Sequence, residues 1–104
     1  MTQVIYKYVI DEFKAAGIGQ KIKIPIQARF LHVDVQHGKI ATWWLIDTES
    51  PAYEHTIRVY GTGFGIDEDL LRMRYLGTVQ LREGMLVLHV FDQFDMPVTT
   101  VTSQ

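Results

Sequence analysis

The chain has 104 residues, 47% of them apolar, with a net charge of −2 and no cysteine. That length and apolar content fit one globular domain over residues 1–104 and exclude an unfolded chain. The lack of cysteine excludes disulfides, thiolate nucleophiles and Cys-based zinc sites, and the scattered charges form no basic patch for nucleic acid.

The opening MTQVIYKYVI lacks the charged-then-apolar pattern of a signal peptide. No apolar run approaches the ~18 residues of a membrane span, so a cytoplasmic protein with no membrane contact is expected. Residues 3–10 alternate and are rich in Tyr, Ile and Val, which predicts a first strand. Residues 11–16 read either as one helical turn, with Asp11 as N-cap and Gly17 as its stop, or as a loop. Residues 21–24 alternate Lys and Ile as a short strand, and Pro25 marks an edge or a break because it cannot donate to a ladder.

The central stretch is RFLHVDVQHGKIATWWLID, residues 29–47, which reads as a long β-hairpin. Leu31, Val33 and Val35 alternate with His32, Asp34 and Gln36. Gly38 accepts a positive φ and His37 tolerates one, so a tight His37-Gly38 loop is expected. That loop sets Val35 opposite Ile40, Val33 opposite Thr42 and Leu31 opposite Trp44. One face, with Leu31, Val33, Val35, Ile40, Trp44 and Ile46, is the expected core face. The other carries Phe30, His32, Asp34, Ala41, Trp43 and Leu45. It is too apolar for plain solvent and too polar for a simple core, as interfaces and ligand floors are.

Ser50-Pro51 signals a turn. Residues 55–60 form another strand, with Ile57 and Val59 on one face and Thr56, Arg58 and Tyr60 on the other. Gly61-Thr62-Gly63-Phe64-Gly65 follows. Residues 67–74 are expected as two helical turns, acids first and arginines last, as the helix dipole prefers. Residues 75–81 and 85–92 make a second hairpin around Glu83-Gly84, with Leu81 opposite Leu86, Val79 opposite Leu88 and Gly77 opposite Val90. Its other face holds Leu76, Thr78, Gln80, Val87, His89 and Phe91. Residues 96–104 add an edge strand or fray. The chain is therefore expected to be mainly β, a small antiparallel β-sandwich or partly open barrel of six to seven strands with one short helix.

Several groups invite a chemical reading. His32 and His89 each stand between apolar neighbours on a non-core face. They could converge as an acid and a base, as in two-histidine phosphoesterases. Those enzymes place Ser or Thr two positions after each His, where this chain has Asp34 and Phe91. His32 and Asp34 share a strand face at a spacing that suits two metal ligands, but a site needs a third ligand and a supporting shell. The glycine-rich loop has a phosphate loop's outline without Gly-Lys-Ser/Thr or G-x-G-x-x-G. Asp67, Glu68 and Asp69 stand where a phosphate would meet like charge. Packed-face histidines, a polar patch and a glycine-rich strand exit are the plainer readings. Neither a catalytic residue, nor a metal ligand, nor a cofactor is assigned.

Ile5-Tyr6-Lys7-Tyr8, Leu31-His32-Val33 followed by Gln36 and Gly38, Trp44 with Ile46-Asp47, Gly61-Thr62-Gly63, Tyr75-Leu76-Gly77-Thr78 and His89-Val90-Phe91 occur in that order. Together they resemble a family of small bacteriophage-encoded proteins carrying a domain of unknown function. Its members usually have less sequence between the first strand and the proline, so residues 11–20 read as a local elaboration. The resemblance implies a phage origin and work in the host cytoplasm, and it transfers no catalytic residues. The expectation is a non-enzymatic accessory protein that binds a host or defence protein and self-associates through the mixed face, covering Trp43 and Leu45. The expected binding residues are Phe30, His32, Asp34, Trp43, Arg58, Tyr60, Thr62 and His89. The alternatives are a sponge or hydrolase for a small nucleotide ligand, using Arg58, Tyr60, His32 and His89, and a minor virion component.

Overall fold

The computed structural model describes residues 2–94, so the strand expected within residues 96–104 lies outside the described residues. Two antiparallel sheets carry the fold. One has the order β1-β4-β3, from β1 (Gln3–Ile10), β4 (Lys39–Asp47) and β3 (Arg29–Gln36). The other has the order β2-β5-β7-β6, from β2 (Gln20–Pro25), β5 (Ala52–Gly61), β7 (Leu86–Phe94) and β6 (Met73–Leu81). The helix α1 (Glu12–Ala16) joins β1 to β2, capped by Asp11, whose carboxylate accepts from Phe13 N–H at 2.9 Å. The expected mainly β architecture holds, with seven strands among the described residues, and Pro25 closes β2 at the sheet edge.

The two sheets bury a shared core of Ile10, Ile24, Ile40, Trp44, Ile57, Val59 and Val90. Trp44 is its largest side chain and fully buried, so its indole N–H needs a partner inside. The hydroxyl of Thr42, two residues earlier on the same face, accepts it at 2.9 Å. Thr42 in turn donates to the Tyr8 carbonyl of β1 at 3.1 Å. The alternating pattern of β4 thus places both a core anchor and its polar satisfaction.

Both hairpin turns form where expected. His37 and Gly38 have φ of 54° and 74°, the left-handed pair that a two-residue loop requires. Val35 pairs with Ile40 and Val33 with Thr42. The second hairpin pairs Leu81 with Leu86, Val79 with Leu88 and Gly77 with Val90.

Each hairpin also contains a bulge. In β3 the register shifts between Phe30 and His32, so Phe30, not Leu31, faces Trp44. The expected Leu31–Trp44 pair is therefore corrected. Phe30 meets the Trp44 ring edge-on at 5.1 Å and packs on the core, while Leu31 turns out to solvent. An aromatic pair offers more contact than Leu on Trp would. In β6 the shift falls between Tyr75 and Gly77. Leu76, expected on the non-core face, is buried. The cause is space: β6 runs so close to β3 that a Cβ on Gly77 would lie 2.5 Å from Val33 Cγ1. Position 77 cannot fill the core there, and the bulge delivers Leu76 instead.

The helix expected over residues 67–74 is corrected to a single 3-10 turn, Leu70–Arg72. Asp69 caps it by accepting from Leu71 N–H at 2.9 Å. Met73 and Arg74 are drawn into the β6–β7 ladder opposite Gln93 and Asp92, which ends any helix. On the flank away from β3 and β6, β1 is an edge strand exposed on both faces, with Val4 and Tyr6 on one side and Ile5 and Val9 on the other.

Candidate functional site

The residues expected to bind fall in two places. His32, Asp34 and Trp43 point outward from the three-stranded sheet, because they alternate with the inward Val33, Thr42 and Trp44. His32 Nε2 lies 3.6 Å from Asp34 Oδ2 and its ring 5.8 Å from that of Trp43. The histidine and aspartate are well exposed, so the pair is a surface contact of small energetic weight. Phe30 does not join them, because the bulge turns it to the core.

Arg58, Tyr60 and His89 point outward from the four-stranded sheet, alternating with Ile57, Val59, Leu88 and Val90 inside. Thr62, just past β5, bonds His89 Nε2 through its hydroxyl at 2.7 Å, and the Thr78 hydroxyl bonds Nδ1 at 2.8 Å. Tyr75 bonds Thr78 in turn. The rings of Tyr60 and Tyr75 flank Phe91 at 5.8 and 5.5 Å. His32 and His89 therefore lie on opposite outer faces and do not converge, and neither do His32, Asp34 and His89 as metal ligands.

Arg58 and Tyr60 also border a cleft of about 500 Å³ between α1 and residues 61–68. The β2 ladder ends at the Gln20–Ile57 pair while β5 continues to Gly61, and α1 packs beside this last part of β5. Val59, Leu86 and Leu88 form an apolar floor. Phe13 and Phe64 stand at the walls, 74% and 76% exposed. Phe64 folds over Gly61, where an added Cβ would come 2.5 Å from its ring. Two ion pairs line the cleft: Arg58 to Glu68 at 3.2 Å and Arg82 to Glu12 at 3.6 Å. Arg58 Nε also donates to Gln93 at 2.5 Å. Burial pushes the Tyr60 phenol above its ordinary value, with Arg58 pulling it down and Glu68 adding to the rise.

A family model for a domain of unknown function, DUF7352, matches residues 1–99. The chain belongs to the DUF7352 family. No curated protein and no solved structure matches it. In this DUF7352 chain no helix among the described residues is long and apolar enough to cross a membrane.

The DUF7352 fold brings together one cluster that the sequence reading passed over. Asp92 of β7 is completely buried, and His55 of β5 donates from Nδ1 to both of its oxygens at 2.9 and 3.0 Å. Arg74 of β6, its direct ladder partner, reaches Oδ2 at 3.5 Å and lies over the Trp44 ring at 5.7 Å. A signal was present in the sequence. Asp92 continues the inward series Leu88 and Val90, and His55 precedes the inward pair Ile57 and Val59. Two titratable residues at core-face positions call for each other, because a buried carboxylate must be paired.

Proposed function

We propose that the protein is a non-enzymatic, phage-encoded accessory protein that docks on a host or defence protein through the cleft beside α1 and the adjoining outer face of the four-stranded sheet. The cleft carries this reading. Its floor is apolar, two aromatic rings stand exposed at its walls, and both its arginines already face glutamates. Such a site suits an apolar anchor side chain from a partner, ringed by paired charges. A nucleotide fits it less well, because Glu12, Asp67 and Glu68 outnumber Arg58 and Arg82 around it. Hydrolysis finds little support in His89, since hydroxyls engage both of its ring nitrogens. The phage origin rests on the ordered motifs that run through β1, β3, β4, β6 and β7.

The test compares capture of host proteins by the full chain with capture by Phe13→Ser and Phe64→Ser, alongside native mass spectrometry of gently purified protein. The expected result is one stoichiometric protein partner, lost with both variants and kept by Trp43→Ala on the opposite face. A retained nucleotide-sized mass, or a partner indifferent to both phenylalanines, would overturn the reading.

Self-association is part of the same proposal, and the edge of β1, which pairs on one side only among the described residues, supports it. An eight-residue edge strand with Ile5, Tyr6 and Val9 exposed and one lysine is a template for a second copy of itself. Ile5 and Lys7 pair with Leu45 and Trp43, so two β1 strands side by side would extend the outer face that carries those residues. Ile5→Lys should convert a dimer to a monomer in light scattering. An unchanged mass would refute this interface.

A further inference from the structure

We infer that the cavity holding His55, Arg74 and Asp92 is a binding site for a small hydroxy-carboxylate. This goes beyond the docking proposal, for the cavity opens at the start of β5 and the docking cleft lies at its end. It measures about 240 Å³, enough for a small organic acid, and Trp44, Tyr53 and Phe94 contribute its aromatic wall.

The polar groups define the ligand. In the neutral imidazole, with Nδ1 of His55 donating to Asp92, Nε2 carries the lone pair and is an acceptor. Nε2 has no protein partner among the described residues, and the His55 side chain retains 16% exposure. Arg74 uses one nitrogen on Asp92 and is about half exposed, and its other donors have no protein partner among the described residues. The two side chains grip one carboxylate and border one cavity, so a free acceptor and a free planar cation stand side by side. Glu54 also borders the cavity, with its carboxylate engaged by Lys21 at 3.4 Å.

A guanidinium stacked on an indole presents a planar fork, which matches a carboxylate's two oxygens. A hydroxyl on the neighbouring carbon would donate to His55 Nε2, and an apolar remainder would lie against Tyr53 and Phe94. A phosphate would bring a second negative charge beside Asp92, with one arginine to meet it. A few placed polar groups on an aromatic wall are the general form of small-ligand sites. A carboxylate buried for stability alone would need no unpaired acceptor at the cavity wall.

The experiment titrates the full chain with mandelate and with phenylacetate, which differ by the hydroxyl, following the His55 ring and Arg74 Nε signals by NMR. Mandelate should give saturable shifts at both residues, and phenylacetate should bind at least tenfold more weakly. Arg74→Met should abolish the binding of both. His55→Lys, which keeps a donor for Asp92 and carries no acceptor, should bring mandelate down to the phenylacetate level. Absence of saturable shifts, or equal affinity for the two acids in the wild-type protein, would overturn the inference without reliance on any variant. Undiminished binding by a folded Arg74→Met protein would do the same.

Discussion

Gly77→Ala tests the seam between the two sheets. The added Cβ would lie 2.5 Å from Val33 Cγ1, against roughly 3.5–4.0 Å for carbons in comfortable contact. About 1 Å must be absorbed where β3 and β6 run together, and Val33 has no long chain that could swing away. Overpacking of this kind costs about 1–3 kcal/mol, which for a chain of this size lowers Tm by on the order of 10 °C. Val33→Ala alone should cost about 1 kcal/mol, since it removes methyl groups from a half-buried side chain. The double variant is the decisive one. The methyl group introduced at position 77 then occupies the space that Val33 gives up, so the combined loss should fall short of the sum by about 1 kcal/mol. Rescue stays partial, because Gly77 has a φ of 158°, outside the usual range of L residues, and Val33→Ala does not change that. Urea unfolding followed by tryptophan fluorescence and circular dichroism measures all three variants. Losses that simply add, within about 0.5 kcal/mol, would show that the two positions do not share that space.

Phe30→Ala should cost about 2–3 kcal/mol, and Leu31→Ser should stay within about 0.5 kcal/mol, in the same unfolding assay; the reverse order would place the bulge elsewhere. Alkaline titration offers a separate check. Burial raises the phenols of Tyr60 and Tyr8, with Tyr6 adding to the second. Near pH 10 the folded protein then holds protons that the unfolded chain has released. Their contribution to stability is complete below about pH 10 and is lost as pH rises through the folded-state values. Phenolate absorbance should show a late-ionising component from these two tyrosines, and Tyr60→Phe should remove part of it.

Much of the fold was legible because strand alternation and turn chemistry are local. Val33, Val35 and Ile40, and Val79, Leu81 and Leu88, declare their faces by period two, and His37-Gly38 declares its turn. The bulges were not legible. Phe30 and Leu31 are both apolar, and so are Leu76 and its inward neighbours, so a slip of one residue leaves no mark on the pattern. It is decided by Trp44 in one case and by Val33 in the other, both on different strands. The acids of residues 67–69 suggested a helix start, but the pairing of Arg74 with Asp92 claims the residues that would have continued it. For the candidate sites, outward orientation was legible residue by residue. Which outer face each residue occupies was not, since that depends on sheet assignment: β3 and β4 fall in one sheet, β5 and β7 in the other. The His55–Asp92–Arg74 cluster needs three strands in register before it exists.

The position of β1 bears on how the chain matures during synthesis. The β3–β4 and β6–β7 hairpins close over tight turns, and each can form soon after its residues are made. β1 leaves the ribosome well before β4, yet its ladder joins Ile10 to Ile40 and Gln3 to Asp47. Contacts that distant in sequence form late, after the loop between them has been ordered. Until β4 has been translated, Ile5, Tyr6 and Val9 travel without a strand beside them, and the nascent chain carries an unpaired apolar strand through that interval.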